Sequence, residues 1–475
     1  MEFLKRVISE KPYLSLATLF AASRALLYPL FPFRVDFLPW LNQLLDINLL
    51  REDLWGSIAE IHMTPPLYNV FVGAIVQLPE AWWPFVFQSL FFLMGLAMVL
   101  MTYRILIFLK APQWLAFLGG FAILANPILF RFEIIPFYTY PLAFLLLLSV
   151  FFLIRFLEAE RKSDIAYFLG VILTIVLFRN FFHAIFFFVP IAVGLCIFVY
   201  TTRKSLFAFT LAVSAAFLVL GLIPSIKNQV EYGIFASSTW QGMQFFSMTH
   251  FVPEEKVKAL IDEGKATPLA LLPRFQNPDI YYEYYNKTPR EGNPAVNALY
   301  KSAGEYEFGN FNNWIYAKTA KEYGENTIAI MSRYPEFFLP RLVNSVYIFF
   351  GLANYRYFDQ TDEWLVFDGH TLKQAFQATK YFVQPTVLAL IFLSILWSAG
   401  RKLWSERNSI TSNENAALIF LLFLLLYTFG VANIVELGEN YTARVPIDPL
   451  ITILAFYCGY LVFRSKPVET PGLPG

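Results

Sequence analysis

Residues 84–109 read PFVFQSLFFLMGLAMVLMTYRILIFL, an apolar run with a single charged residue, Arg104. A run of that length crosses a bilayer as a helix, because in hydrocarbon the backbone must satisfy its own polar groups. Similar runs flank it: Tyr13 to Phe33, Trp114 to Phe130, Tyr138 to Leu157, Ile165 to Leu177, Phe182 to Tyr200, Ser205 to Leu222, Tyr381 to Trp397, Asn415 to Ile434 and Leu450 to Phe463. The sequence therefore predicts an all-α polytopic membrane protein with about ten transmembrane helices. The stretch from Met1 to Lys11 is short and polar, and the run behind it has no small-residue cleavage site, so it reads as a retained helix.

Composition points the same way. Of 475 residues, 57% are apolar and 15% charged, too apolar for a soluble globule with one core. A net charge of +1 argues against a polyanionic partner, so no nucleic acid is expected. Cys196 and Cys458 both sit inside apolar runs, which excludes a disulfide framework and a cysteine metal cluster.

Direction follows from Lys and Arg. The clusters Lys5/Arg6/Lys11, Arg104/Lys110, Arg155/Arg161/Lys162, Arg203/Lys204, Arg401/Lys402/Arg407 and Arg464/Lys466 share one side only if both termini are cytoplasmic. That fits a bacterial inner or plasma membrane. Two shorter apolar stretches, Pro66 to Leu78 and Phe337 to Leu352, would invert the later helices if they spanned. They read as interfacial or re-entrant helices, and counting them as spans would raise the total to about 12.

Three regions result. Residues 1–226 form an N-terminal transmembrane module with an outer loop at 34–83. Residues 227–380 form a mostly helical extracytoplasmic domain with an interfacial helix at 337–352, and 381–475 supply C-terminal transmembrane helices. Helical periodicity recurs inside the outer domain from Trp314 to Ile330 and from Pro335 to Ile348.

The chemistry concentrates in the first outer loop, where Arg51 to Asn69 reads REDLWGSIAEIHMTPPLYN. Asp46, Asp53 and Glu60 recur every seven residues opposite a stripe of Leu45, Leu49, Leu54, Ile58 and Ile61. That spacing predicts one amphipathic helix along the membrane surface. Pro65 and Pro66 end it and hold His62 and Thr64 at a bend. The bland reading is that the carboxylates face water and that His62 is a satisfied structural residue.

Further polar residues fall at the same outer level: Arg131, Glu133, Tyr138, Tyr140, Arg179, Asn180, His183, Lys227, Asn228, Glu439, Asn440 and Arg444. Each alone is also what a snorkelling side chain looks like. Together, several cations on one rim suit an anionic headgroup such as a phosphate, which Arg grips bidentately.

With its outer-loop aspartates followed by His-x-x-Pro-Pro-Leu-Tyr-Asn (His62 to Asn69), the chain resembles the GT-C class of integral membrane glycosyltransferases. The likeness is to bacterial family-39-like proteins related to protein mannosyltransferases and lipid A aminoarabinose transferases. FYTYPL at 137–142, Lys227-Asn228 with Ser238, Thr239, Trp240 and Gly242, and Gly438 to Pro449 add to it. Where better-known members carry an Asp-Glu pair after the first span, this chain has Arg34-Val35-Asp36-Phe37. The resemblance implies a GT-C-like fold and sugar transfer from a polyprenyl-phosphate carrier to an extracytoplasmic lipid, glycan or protein acceptor. An inverting displacement needs one carboxylate base, with Asp53, Asp46 and Asp36 as competitors. Arg131, Arg179, Lys227 and Arg444 would hold the lipid phosphate, and His62, Glu133, Tyr138 and His183 would line the substrate site. No cofactor is required; a divalent cation is compatible with carboxylates and phosphate, but no ligand spacing demands one. The remaining partners are membrane lipids, and the alternatives are a lipid-linked sugar flippase or an oligosaccharide ligase.

Overall fold

The computed structural model describes residues 10–303, 306–351, 384–438 and 440–464, and it is almost entirely helical. The helices used below are α1 (Pro12–Leu27), α2 (Ile47–Glu52), α3 (Leu54–Ala59), α4 (Leu67–Val76), α5 (Trp83–Phe108), α6 (Gln113–Leu124), α7 (Pro127–Glu133) and α8 (Thr139–Ala159). They continue with α9 (Lys162–Phe178), α10 (Val189–Thr202), α11 (Phe207–Tyr232), α12 (Ile315–Arg333), α13 (Phe338–Phe350), α14 (Gln384–Ser405), α15 (Asn413–Val435) and α16 (Asp448–Arg464). Among the described residues 7 helices are long and apolar enough to cross a membrane, as expected for a polytopic membrane protein.

Every expected apolar run falls on a helix, and the differences lie at the ends. The run Tyr381 to Trp397 begins outside the described residues; from Gln384 onward it is helical. The first run was expected to reach Phe33, but α1 stops at Leu27, ahead of Pro29 and Pro32. Proline lacks the N–H that the next turn needs and restricts the residue before it. The third run is broken: α6 and α7 meet at a bend of 51°. Asn126 causes the break, its side chain accepting from Ile128 N at 2.9 Å and Leu129 N at 3.1 Å, with Pro127 in the first turn of α7. Ala184–Phe188 is a π-helical turn that leads into α10.

Helices α5 to α9 pack side by side, with α15 and α16 against α8. Among the described residues, several members of the basic clusters are paired at one end of this bundle. Arg104 meets Glu158, Arg203 meets Glu160 and Arg155 meets Asp164. The opposite end carries the long connections. There α4, one of the two short apolar stretches, packs on α2, α3 and α9 with Tyr68, Asn69 and Val72 buried, so its apolar side faces protein. The other, α13, exposes Leu339, Val343 and Tyr347 along one face and buries Arg341, Ser345 and Phe349 on the other. An antiparallel hairpin, Tyr300–Ala303 with Tyr306–Gly309, was not foreseen from the periodicity. Its Lys301 ammonium is buried and donates to Leu41 O at 2.6 Å and Leu44 O at 3.0 Å, tying the hairpin to the first long loop. Burial pushes that ammonium down to about 7.

Inside the bundle, Arg24 of α1 and Glu133 of α7 form a buried ion pair. Arg24 Nε donates to Oε1 at 2.9 Å and Nη2 to Oε2 at 2.6 Å, and Tyr28 and Tyr140 donate to the same carboxylate at 2.6 and 3.0 Å. Glu133, expected on the substrate-binding rim, is thus saturated by protein donors. It locks α1 to the α7–α8 corner. Arg24→Ala leaves that carboxylate buried and unpaired and should cost about 3–5 kcal/mol. Replacing both partners by Leu should restore much of the loss, as read by thermal unfolding in detergent micelles.

Candidate functional site

The first long loop does not form the continuous amphipathic helix that the heptad spacing predicts. It folds as two six-residue helices, α2 and α3, interrupted at Asp53, whose φ of −145° is not helical. Aspartate favours this position because its side chain accepts from the next turn, here Gly56 N at 3.0 Å. Asp46 does the same for α2, accepting from Asn48 N at 2.8 Å, and also receives Ser302 N of the hairpin at 2.6 Å. Asp36 pairs with its neighbour Arg34 at 2.7 Å, both exposed. The three competitors for a catalytic base are two helix caps and one surface pair, and no cavity described below is lined by any of them.

The bend after α3 is buried, and its backbone is satisfied by side chains from far along the chain. Asn312 Oδ1 accepts from His62 N at 2.9 Å and Met63 N at 3.1 Å, while its Nδ2 donates to Glu60 O at 3.3 Å. Lys227 donates to Ala59 O and Ile61 O, Ser238 Oγ to Met63 O at 2.6 Å, and Thr239 N to His62 O at 2.9 Å. The His62 ring is fully buried, with Nδ1 at 2.7 Å from Thr239 Oγ1 and its face against Tyr232. Burial pushes the imidazole down to about 3, with the Lys227 charge adding to the effect. Farther on, Asn69 accepts from Leu45 N at 2.8 Å and donates to Gln43 O at 2.9 Å. His62, Lys227, Ser238 and Thr239, which belong to the motifs of the family resemblance, thus act within this one set of stitches, while Asn228 donates mainly to Ala236 O at 2.8 Å and Asn69 ties a separate pair, Gln43 and Leu45.

Immediately beside the stitched bend lies a polar slot. It is walled by Gln43, Met63, Thr64 and Tyr68 from the first loop, Tyr138 at the head of α8, and Phe178, Arg179 and Asn180 where α9 ends. Trp240, Gln244 and Glu436 close it. About 40 Å³ of it is free, enough for a few waters or one polar group, so a larger ligand must displace side chains. Arg179 stacks on the Tyr138 ring with its guanidinium carbon 3.8 Å from the centroid, and Tyr138 rests edge-on against Tyr68. Tyr68 is itself pinned by a 2.6 Å bond to Pro136 O. Tyr138 and Arg179, both expected among the outer polar residues, thus stand side by side in one wall of the slot.

The carboxylate in this slot is Glu436, a residue the sequence did not single out. It follows the last turn of α15, and its backbone carbonyl accepts from Arg341 Nη2 at 2.7 Å, Ser345 Oγ at 3.0 Å and Asn440 Nδ2 at 3.0 Å. Three donors on one carbonyl fix where the side chain begins. A lone acid at the boundary of an apolar run was the available signal.

The other expected site residues have different duties. His183 Nδ1 accepts from Ile185 N at 3.2 Å and caps the π-helical turn. Arg444 is buried, donating to Phe349 O and Gly351 O at 2.8 Å each and to Asp448 at 3.2 Å, so it closes the carbonyl end of α13. Arg131 lies on α7 and Lys227 on α11, both away from the slot lining. Glu439, also on the expected rim, lies outside the described residues. Among the described residues no group of three or more His, Cys, Asp or Glu is placed to hold a metal ion.

Two measurements follow. Asn312→Leu orphans two buried N–H groups at a cost of about 1–3 kcal/mol each; hydrogen exchange at residues 60–64 should accelerate while exchange in α5 and α8 is unchanged. The unfolded chain takes up a proton at His62 near 6.5, whereas the folded one refuses it until about 3. The folded state's advantage is therefore complete above about 6.5 and shrinks as pH falls through that window. His62→Gln should flatten the fall of thermal stability between pH 6.5 and 4.

No known family model, curated protein or solved structure matches this chain.

Proposed function

We propose that the chain is a membrane glycosyltransferase that moves a sugar from a polyprenyl-phosphate carrier to an extracytoplasmic lipid, glycan or protein acceptor. In this reading about ten helices span the membrane, both termini are cytoplasmic, and the slot opens on the outer side. The observation that supports it best is the convergence of Arg179, Glu436, Gln43, Thr64, Asn180 and Gln244 with Trp240 in one part-enclosed polar slot. A cation, a carboxylate, amides and an indole are what a sugar phosphate requires.

The chemistry is assigned accordingly. The acceptor hydroxyl attacks the anomeric carbon and loses its proton to the Glu436 carboxylate, while the bond from that carbon to the phosphate oxygen breaks. The leaving phosphate takes the bonding electrons, and the Arg179 guanidinium, held on Tyr138, offsets its growing charge. The amides of Gln43, Asn180 and Gln244 orient the sugar hydroxyls. The isoprenoid tail would lie in a lipid-facing groove of about 550 Å³ between α10 and α11, lined by Phe188, Val189, Cys196, Tyr200, Leu211 and Leu218. Asp53, Asp46 and Asp36 have no part in the reaction.

The test is transfer by purified protein from a panel of polyprenyl-phosphate sugars. Glu436→Gln should lower the turnover rate by roughly 10²–10⁴-fold, the usual contribution of a general base, with carrier binding retained. Asp53→Asn should transfer normally. Undiminished transfer by Glu436→Gln would reject this base, and absence of both transfer and binding with every carrier would reject the class.

A further inference from the structure

A second cleft is lined by Leu437 and Gly438, next in sequence to the Glu436 of the slot. It has about 440 Å³ of free volume and is lined by Ser247, Thr249, His250, Arg274, Asn344 and Gly438, with apolar contributions from neighbouring loops. Arg274 and the Asn344 amide bring N–H donors to it, the Ser247 and Thr249 hydroxyls give their protons to Val435 O at 2.9 Å and Phe246 O at 2.8 Å, and no carboxylate side chain lines it. Arg274 reaches only carbonyls at long range, Met243 O at 3.5 Å and Leu437 O at 3.3 Å. Among the described residues no acid lies within ion-pair distance of it. An Arg held by such bonds keeps its planar face of N–H donors available.

A second guanidinium stands behind the first. Arg341 of α13 is fully buried and donates to Ser247 Oγ at 2.9 Å, a hydroxyl of the cleft wall. Its Nε is buried without a partner. Burial pulls Arg341 down to about 10; Glu436 opposes this and the nearby Arg274 charge adds to it. Two guanidinium groups against one nearby carboxylate leave a surplus of positive charge here. The Asn344 amide sits on the cleft side of α13, whose other face exposes Leu339, Val343 and Tyr347. A helix with that division suits a membrane surface, and on that reading the cleft would sit at headgroup depth.

We propose that this cleft is an oxyanion site that takes a phosphate group, gripped by Arg274 with the Asn344 amide as a further donor. The proposal stands apart from the transferase reading and holds whether or not the slot transfers sugar. The chemistry is shared by a phosphomonoester lipid headgroup and by free phosphate, and the arms of the experiment separate them.

The full chain in neutral maltoside micelles is titrated with dioleoyl phosphatidic acid, with dioleoyl phosphatidylcholine as reference, and separately with inorganic phosphate at constant ionic strength. Native mass spectrometry and thermal shift read binding. Arg274→Gln and Asn344→Asp should each weaken binding at least tenfold, whereas Lys265→Gln, at an exposed ion pair with Glu263, should leave it unchanged. Asn344→Asp puts a negative charge, repelling phosphate, in the cleft without removing Arg274, so it still decides the matter if Arg274→Gln folds poorly. Phosphatidic acid binding alone identifies a headgroup site, and binding of inorganic phosphate identifies a free-phosphate site. Failure of both probes to bind, or equal binding by both variants and wild type, overturns the proposal.

Discussion

A buried bend must have every backbone N–H and C=O satisfied, and the architecture at the loop-bearing end follows from that constraint. Residues 59–63 make no regular secondary structure beyond the last turn of α3. Their donors and acceptors are met instead by Asn312, Lys227, Ser238 and the Thr239 amide, from segments that have no other reason to meet. Because the bend is fixed, Met63 and Thr64 are fixed, and they form one wall of the slot. Removing any one stitch exposes or orphans a polar group in a poorly hydrated place, which is costlier than losing the same bond at a surface.

The same scarcity of water explains how the acids are distributed. A carboxylate buried in the chain needs donors or a counter-charge, and Glu133 has four such bonds from Arg24, Tyr28 and Tyr140. Asp46 and Asp53 sit where a helix start supplies backbone N–H groups. Glu436 differs. Its carbonyl is anchored by three donors, while its side chain lines the slot with only a 3.3 Å contact from Leu437 N. A chemically available carboxylate on a rigid stem combines freedom at the tip with precision at the base.

Much of the helical content was legible because lipid imposes one rule, a long apolar stretch, that the sequence cannot hide. The ends were less legible, since α1 stops at Leu27 and α6 at Leu124 for local reasons, the prolines at 29 and 32 and the cap at Asn126. In the first long loop the seven-residue spacing of Asp46, Asp53 and Glu60 fitted a helix face, but Asp is also a preferred cap, and capping won at two of the three. Arg24 went unremarked inside the first run although an ionisable group in an apolar helix calls for a partner. Tyr138 and Arg179 were recognisable as boundary residues, whereas Asn312 matters through contacts 250 residues away in sequence and Glu436 through contacts 91 and 95 residues away, which no local pattern encodes.

The stitches also set an order of events during biogenesis. The bend at His62 leaves the ribosome well before its partners at Lys227, Thr239 and Asn312 are synthesised. Contacts of such wide sequence separation form late because the intervening chain must first be produced and placed. Until then the five early helices α5 to α9 can insert and pack while His62 and its neighbours remain hydrated. A ribosome stalled before Asn312 would therefore leave an inserted but unfinished protein, whose bend is open to proteases that the completed chain excludes.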